Sequence, residues 1–229
     1  YQGKIGNNAV MKHIQRLRKM VTLAYHMEWI ERDPFVKFKP KLEKREREFL
    51  TDLELESIEN LTPSIERLEV VKDLFVFSCY TGISYGDIMK LSPDNIVLGI
   101  DGNRWLMANR NKTGTPFKMP LLPTVESIIE KYRNHPRTQY TGSLMPNISN
   151  QRLNGYLKEI ADLCGITKNL TFHMARHTFA TTVTLSNGVP IETVSKLLGH
   201  TKLATTQIYA RVIEKKISED MAILKEKLR

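Results

Sequence analysis

The chain has 229 residues, 41% hydrophobic and 26% charged, with a mean hydropathy of −0.32; this excludes a fibre or a disordered tail, and the length suffices to bury a core without disulfides or metals. No apolar run approaches a membrane span and no signal peptide is seen, so neither a membrane protein nor a secreted one is expected, and the initial tyrosine leads us to expect a piece of a longer chain. The net charge of +9 is blocked: residues 1–50 carry +6, 51–83 carry −5, 84–212 carry +7 and 213–229 carry +1, so two basic lobes are expected to grip a polyanion while the acidic stretch faces away, the alternative being a merely soluble basic surface.

In chain order, Val10, Ile14, Leu17, Val21, Ala24, Tyr25 and Trp29 recur near the 3.6-residue period, predicting an amphipathic helix over 8–31 that Asp33-Pro34 stops. KFKPKLEKREREF, residues 37–49, has almost no apolar content and reads as an exposed linker, with a domain boundary near 38–48. Thr51 with Glu54 three residues on forms a capping-box pattern for a helix to about Asn60. An apolar helix over 64–80, expected to be buried, should end at Thr81-Gly82. From Ile96 to Leu121 the period changes, and 104–109 and 117–121 flank Lys112-Thr113-Gly114-Thr115 as a β-hairpin within a small sheet. From Thr124 the chain is helical again, with helix ends at Ser186-Asn187-Gly188 and Gly199 and with Pro190 at a first helical position. The fold class is thus mainly α with a small antiparallel β-sheet. Cys79 in FVFSCY and Cys164 in ADLCGI read as reduced core thiols, which implies a reducing cytoplasm.

Thr171-Phe172-His173-Met174-Ala175-Arg176 puts a histidine and an arginine on one face of a helix's first turn, where free N–H groups and the helix dipole favour an anion and an arginine can fork onto two phosphate oxygens. Alone, such a pair is more often surface pairing than a catalytic site. Downstream, Leu197-Leu198-Gly199-His200 closes a short helix, and Thr201–Tyr209 reads as another that exposes Tyr209 among Thr205, Thr206 and Gln207.

In this order and spacing, TFHMARHTFATTV, LLGH and TTQIYARV resemble the C-terminal signature of the tyrosine recombinases, or phage integrases, and the likeness runs from about residue 8 to 217. Upstream, TGISYGDIMKL resembles the family's first-arginine segment and NRNKTGTPFKMPL the hairpin carrying its lysine. The resemblance implies the end of a helical core-binding domain at 1–38, a linker at 39–48 and a catalytic domain at 49–229 with a tail helix over 213–229 (Ile217, Met221, Leu224, Leu228) that a neighbouring protomer or its own domain receives. It implies a site-specific recombinase or integrase of a mobile genetic element, with Tyr209 the nucleophile of a 3′-phosphotyrosyl intermediate, Arg176 on the non-bridging oxygens, His173 and His200 as proton carriers, and Lys112 as general acid. The implied partners are double-stranded attachment sites, a homo-oligomer (tetramer) on DNA and a DNA-bending accessory protein, in a bacterial, nucleoid-associated setting. No cofactor is implied, and since His173, His200 and the carboxylates lack a zinc spacing, no metal is expected and chelators should leave activity intact.

Ser84 occupies the family's first-arginine position, as in the integrases of conjugative and mobilisable transposons, and a hydroxyl cannot replace a bidentate cation. The enzyme is crippled, or the chain is an inactive mutant, or another arginine serves; Arg110, two residues before Lys112 and on the same side of an extended strand, is the candidate. Asp87 matches the family's acidic residue three positions on, and His177 reads as a buried structural hydrogen-bonder. Arg16, Arg18 and Lys19, with Lys39, Lys41 and Lys44, and then Lys118, Arg152, Lys196 and Lys202, are candidate DNA-backbone contacts. A catalytically impaired DNA-binding module and a type IB topoisomerase-like enzyme are the alternative functions.

Overall fold

The computed structural model describes residues 5–43, 47–212, 221, 225 and 226, in two compact units, Tyr1–Glu46 and Arg47–Arg229. Lys44 lies outside the described residues, as does the expected tail helix over 213–229 except at 221, 225 and 226. In the first unit, α1 spans Asn7–His26 and ends before the expected residue 31. The Met27 N–H bonds back to Leu23 (2.9 Å) and Glu28 turns into the left-handed region at φ 59°, which closes the helix ahead of the proline. The Asp33 carboxylate then accepts hydrogen bonds from the Thr22 hydroxyl (3.1 Å) and the Phe35 N–H (2.8 Å), and the chain doubles back. Arg18 donates to the Phe38 carbonyl (3.2 Å) and Asn7 to that of Lys41 (3.0 Å). Arg16, Lys19, Lys39 and Lys41 are exposed.

The second unit contains α2 (Asp52–Asn60), α3 (Glu66–Thr81), α4 (Tyr85–Ile88), β1 (Ile96–Leu98), β2 (Arg104–Asn109), β3 (Pro116–Pro120), α5 (Pro123–Tyr132), α6 (Pro136–Thr141), α7 (Asn150–Leu163), α8 (Phe172–Thr178) and α9 (Ile191–Leu197). The capping box forms as its pattern predicts: Thr51 Oγ1 accepts from the Glu54 N–H (3.2 Å) and Glu54 accepts from the Thr51 N–H (2.8 Å). The acidic segment is outermost only at α2, where Asp52 and Glu56 are exposed, whereas α3 is buried, as its apolar sequence predicts. α3 is the central helix, packed on α2, α5, α7 and α8, with Leu74, Phe75 and Phe77 fully buried. Its charge is neutralised by pairing: the buried Asp73 accepts from Lys131 Nζ (2.6 Å) and the Tyr132 hydroxyl (2.8 Å), and Glu69 pairs with Lys131 (2.5 Å).

The antiparallel sheet runs β1-β2-β3, with Leu98 opposite Arg104 and Leu106 opposite Met119. Phe117 and Met119 face the core while Lys118 between them is exposed, the two-residue alternation of a half-buried strand. Past α8 the helix widens over Phe179–Thr184 into a π-helical turn. Cys79 is buried, but Cys164, at the end of α7, is only half-buried, its thiol 3.6 Å from the Ser57 carbonyl; an apolar sequence setting does not separate a helix end from the core.

Candidate active site

α3 ends at Gly82 because the backbone must turn left-handed there (φ 65°), and a Cβ would come within 2.5 Å of Phe179. That close approach exposes the Gly82 carbonyl to Arg176, which projects from α8 and is 6% exposed. Arg176 Nη1 donates to Gly82 O (2.5 Å), and Nη2 donates to Leu198 O (2.7 Å) and to His200 Nε2 (2.9 Å). A guanidinium only donates, so Nε2 of His200 is an acceptor and its proton sits on Nδ1, 2.8 Å from the Thr206 hydroxyl.

Arg110 opens the loop after β2 and reaches the same carbonyl: its Nη1 donates to Leu198 O (2.7 Å), and its Nε lies 3.5 Å from Asp87 Oδ2. Gly199 makes room for it, since a Cβ there would stand 2.9 Å from Arg110 Cδ. Asp87, 6% exposed, also accepts from the Ser84 hydroxyl (2.6 Å) and the Asn111 N–H (2.8 Å). Ser84 is thus spent on orienting the carboxylate, and Arg110 comes from the hairpin to stand beside Arg176. Lys112, two residues on, is exposed and has no hydrogen-bond or ion-pair partner among the described residues. Strand alternation therefore does not relate these two cations: Arg110 is turned into the cluster by the loop, whose Gly114 N–H bonds back to Arg110 O (2.8 Å).

Tyr209 is buried at 6% exposure, against the expectation that its polar neighbours leave it exposed. The expected single helix over 201–209 is instead two short 3-10 segments, Leu203–Thr205 and Gln207–Val212. The Tyr209 N–H bonds to Thr206 O (2.9 Å), which turns the ring in against His177, centroid to centroid 5.3 Å. His177 is buried as expected, but its Nδ1 has no hydrogen-bond partner among the described residues. On its other side lies the His173 ring, at 4.7 Å.

The electrostatics follow from burial among cations. Arg176 is lowered to about 10 by burial and then by Arg110, and stays charged at neutral pH. His200 falls to about 4, through burial, Arg176 and Arg110, and His177 to about 3, through burial, His173, Arg47 and Arg176. His173 is lowered by desolvation, Arg47 and Arg176. Burial raises the Tyr209 phenol while Arg176, Arg47 and Arg110 oppose it. Three neutral histidines and a protonated tyrosine thus lie among arginines, an arrangement that can hold an anion and accept a proton. A pocket of about 490 Å³, lined by Ser84, Tyr85, Asn150, Asn154, His173 and Arg176 among others, borders this cluster through His173 and Arg176.

The structure therefore brings together Tyr209, Arg176, His173, His200, Arg110 and Ser84, and leaves Lys112 outside the buried cluster. Lys118, Arg152, Lys196 and Lys202 are exposed. Sequence reasoning missed Arg47, whose Nη1 lies 3.1 Å from His173 Nε2 and 3.4 Å from His177 Nε2; it stood in a run read as linker, and no periodicity sets it apart from its charged neighbours. Among the described residues no group of three or more His, Cys, Asp or Glu is placed to hold a metal ion, and no helix is long and apolar enough to cross a membrane.

The chain is 28% identical to the tyrosine recombinase XerD of Staphylococcus haemolyticus over 227 residues, 92% of this chain and 74% of that protein. Its fold is similar to that of the Tn1549 transposon integrase in complex with a circular intermediate DNA, with a TM-score of 0.73 at 16% identity over 90% of this chain and 76% of that one. It also resembles the XerH site-specific recombinase bound to a palindromic difH substrate (TM-score 0.61, 21% identity, 79% of this chain), of whose chain it spans about half, 54%. Residues 1–40 match the phage integrase SAM-like domain. Residues 48–216 match the phage integrase family along their whole length, and the chain belongs to that family, the tyrosine-type DNA strand transferases.

Proposed function

We propose that this chain is a site-specific recombinase of a mobile genetic element that cuts and rejoins duplex DNA through Tyr209. The observation that carries the reading is the convergence of Arg176 and Arg110 on the single carbonyl of Leu198, which sets two guanidinium groups side by side near Tyr209. Neither is paired bidentately with a carboxylate, so their remaining N–H groups suit the non-bridging oxygens of one phosphodiester. Tyr209 Oη attacks the phosphorus, the P–O5′ bond breaks, and a 3′-phosphotyrosyl ester forms; the phenolic proton passes to a neutral histidine and the leaving 5′-oxygen takes one from Lys112. Because the ester keeps the energy of the broken bond, the reverse attack by a 5′-hydroxyl reseals the strand without a nucleotide cofactor.

Lys112 suits its role by being exposed on a loop whose base is fixed, Lys90 Nζ donating to Asn111 Oδ1 (2.6 Å). Ser84 with a compensating Arg110 supports the mobile-element reading, through the resemblance to transposon integrases. The basic side chains of residues 1–38 and the exposed lysines of the second unit supply sequence-independent grip on attachment-site DNA, on which protomers assemble. A duplex nicked just 3′ of the cleavage position loses its 5′-hydroxyl fragment and traps the adduct. The protein should give a covalent band on denaturing gels that Tyr209→Phe abolishes. No band from the parent protein identifies a DNA-binding module instead, and relaxation of supercoils without strand exchange identifies a topoisomerase.

A further inference from the structure

Arg47 is an exposed cation on a rigid mount. Three residues after it, Leu50 is fully buried, with its N–H donating to the Thr178 hydroxyl (3.0 Å) and its carbonyl accepting from the Thr182 hydroxyl; Lys168 Nζ donates to the Phe49 carbonyl (2.9 Å). Thr178 belongs to α8, the helix that carries His173 and Arg176, so this segment is fastened to the element that builds the site. The guanidinium lies against His173 and His177 through Nη1 alone. Among the described residues these two rings are its hydrogen-bond partners, and no carboxylate pairs with it.

Both rings are held neutral, as described above, and a neutral imidazole satisfies a donor without compensating its charge. With both Nη1 hydrogens given to the rings, the Nε–H and the two Nη2–H bonds, three of the five, are left for another ligand, and an anion with more than one acceptor oxygen completes the site. We propose that Arg47 is a further phosphate-binding residue of this active site, taking the DNA phosphodiester next to His173 with the N–H groups that the histidines leave free. The inference rests on the proposed strand-cleavage function and adds to it a third arginine, one that the second unit presents from its first residue.

The test pairs Arg47→Ala with nicked duplexes that carry a neutral methylphosphonate at the scissile phosphate or at either neighbour, beside the all-phosphate duplex. Arg47→Ala should slow covalent trapping about 10²-fold on the all-phosphate duplex, but only within about 2-fold on the one whose neutral linkage replaces the phosphate it binds. Arg47→Lys should recover part of the rate, keeping the charge without the fork. No slowing, or equal slowing on all four duplexes, overturns the proposal. The same comparison read as binding affinity in a Tyr209→Phe background needs no chemistry, so it decides the role of Arg47 even if the parent protein forms no covalent adduct.

Discussion

The floor and the rim of the site treat positive charge in opposite ways. On the floor, Arg176 and Arg110 are buried or half-buried and tethered to backbone carbonyls at 2.5–2.7 Å. On the rim, Lys112 is exposed and has no polar partner among the described residues, and Lys118 and Lys202 are exposed elsewhere on the second unit. The difference matches the roles proposed for these charges. Stabilising a pentavalent phosphorus requires donors fixed in advance, whereas a proton donor that follows a departing oxygen needs reach.

The strongest way to break this contrast is to treat a floor arginine as a mere charge. Arg176→Ala should slow covalent trapping about 10³-fold. Arg176→Lys should rescue little, because an ammonium cannot span the Gly82 and Leu198 carbonyls, and it should cost about 1–3 kcal/mol in urea unfolding through the acceptor left bare. A lysine variant close to parental rate would show that the tethers are incidental. Arg110→Ala follows, at about 10²-fold; parental cleavage by this variant would leave the floor with one arginine. Gly199→Ala, with its Cβ set 2.9 Å from Arg110 Cδ at φ 61°, should approach that kinetic loss and lower stability by about 1–2 kcal/mol.

On the rim, Lys112→Ala should slow cleavage by about 10²-fold without changing stability, and a 5′-bridging sulfur, which leaves without a proton, should restore the rate. Failure of sulfur to rescue removes Lys112 from the role of acid. Smaller still is the pH response. His200 and His177 are held at about 4 and about 3 in the folded chain, below the ordinary value near 6.5, so protons bind the unfolded chain first. Their contribution to stability is complete above about pH 6.5 and is lost as the pH falls towards 4; the urea midpoint should drop across that window, and a flat midpoint with imidazole resonances titrating near 6.5 would contradict the placement. The least effect is expected from Lys118→Ala and Lys202→Ala, each weakening DNA binding alike across sequences and reducing the salt slope by about 1.

Local chemistry was legible before any coordinates. The Thr51–Glu54 box, the Gly82 stop, the hairpin around Gly114 and the grouping of His173, Arg176, His200 and Tyr209 each rest on short-range rules or on motif order. What depended on long-range packing was not. The pairing of the buried Asp73 with Lys131 and Tyr132 has no local signal, because those partners lie 58 and 59 residues away. Tyr209 reads as exposed until the 3-10 turns face it inward, and Arg47 reads as linker because its partners lie 126 and 130 residues away. Arg110 was found in sequence for a reason the structure replaces: a loop and a glycine hold it at the site, not strand alternation.

The shared carbonyl of Leu198 has a thermodynamic consequence. Two like charges are held together there, and burial with the neighbouring Arg110 lowers the Arg176 guanidinium. A small oxyanion that lodges between them binds the folded chain and not the unfolded one, so it should raise the melting temperature; at about 100 times its dissociation constant the gain is about 2.7 kcal/mol. Melting curves in sulfate or vanadate, set against chloride at equal ionic strength and compared with Arg110→Ala, would then report occupancy of the site in the absence of any DNA.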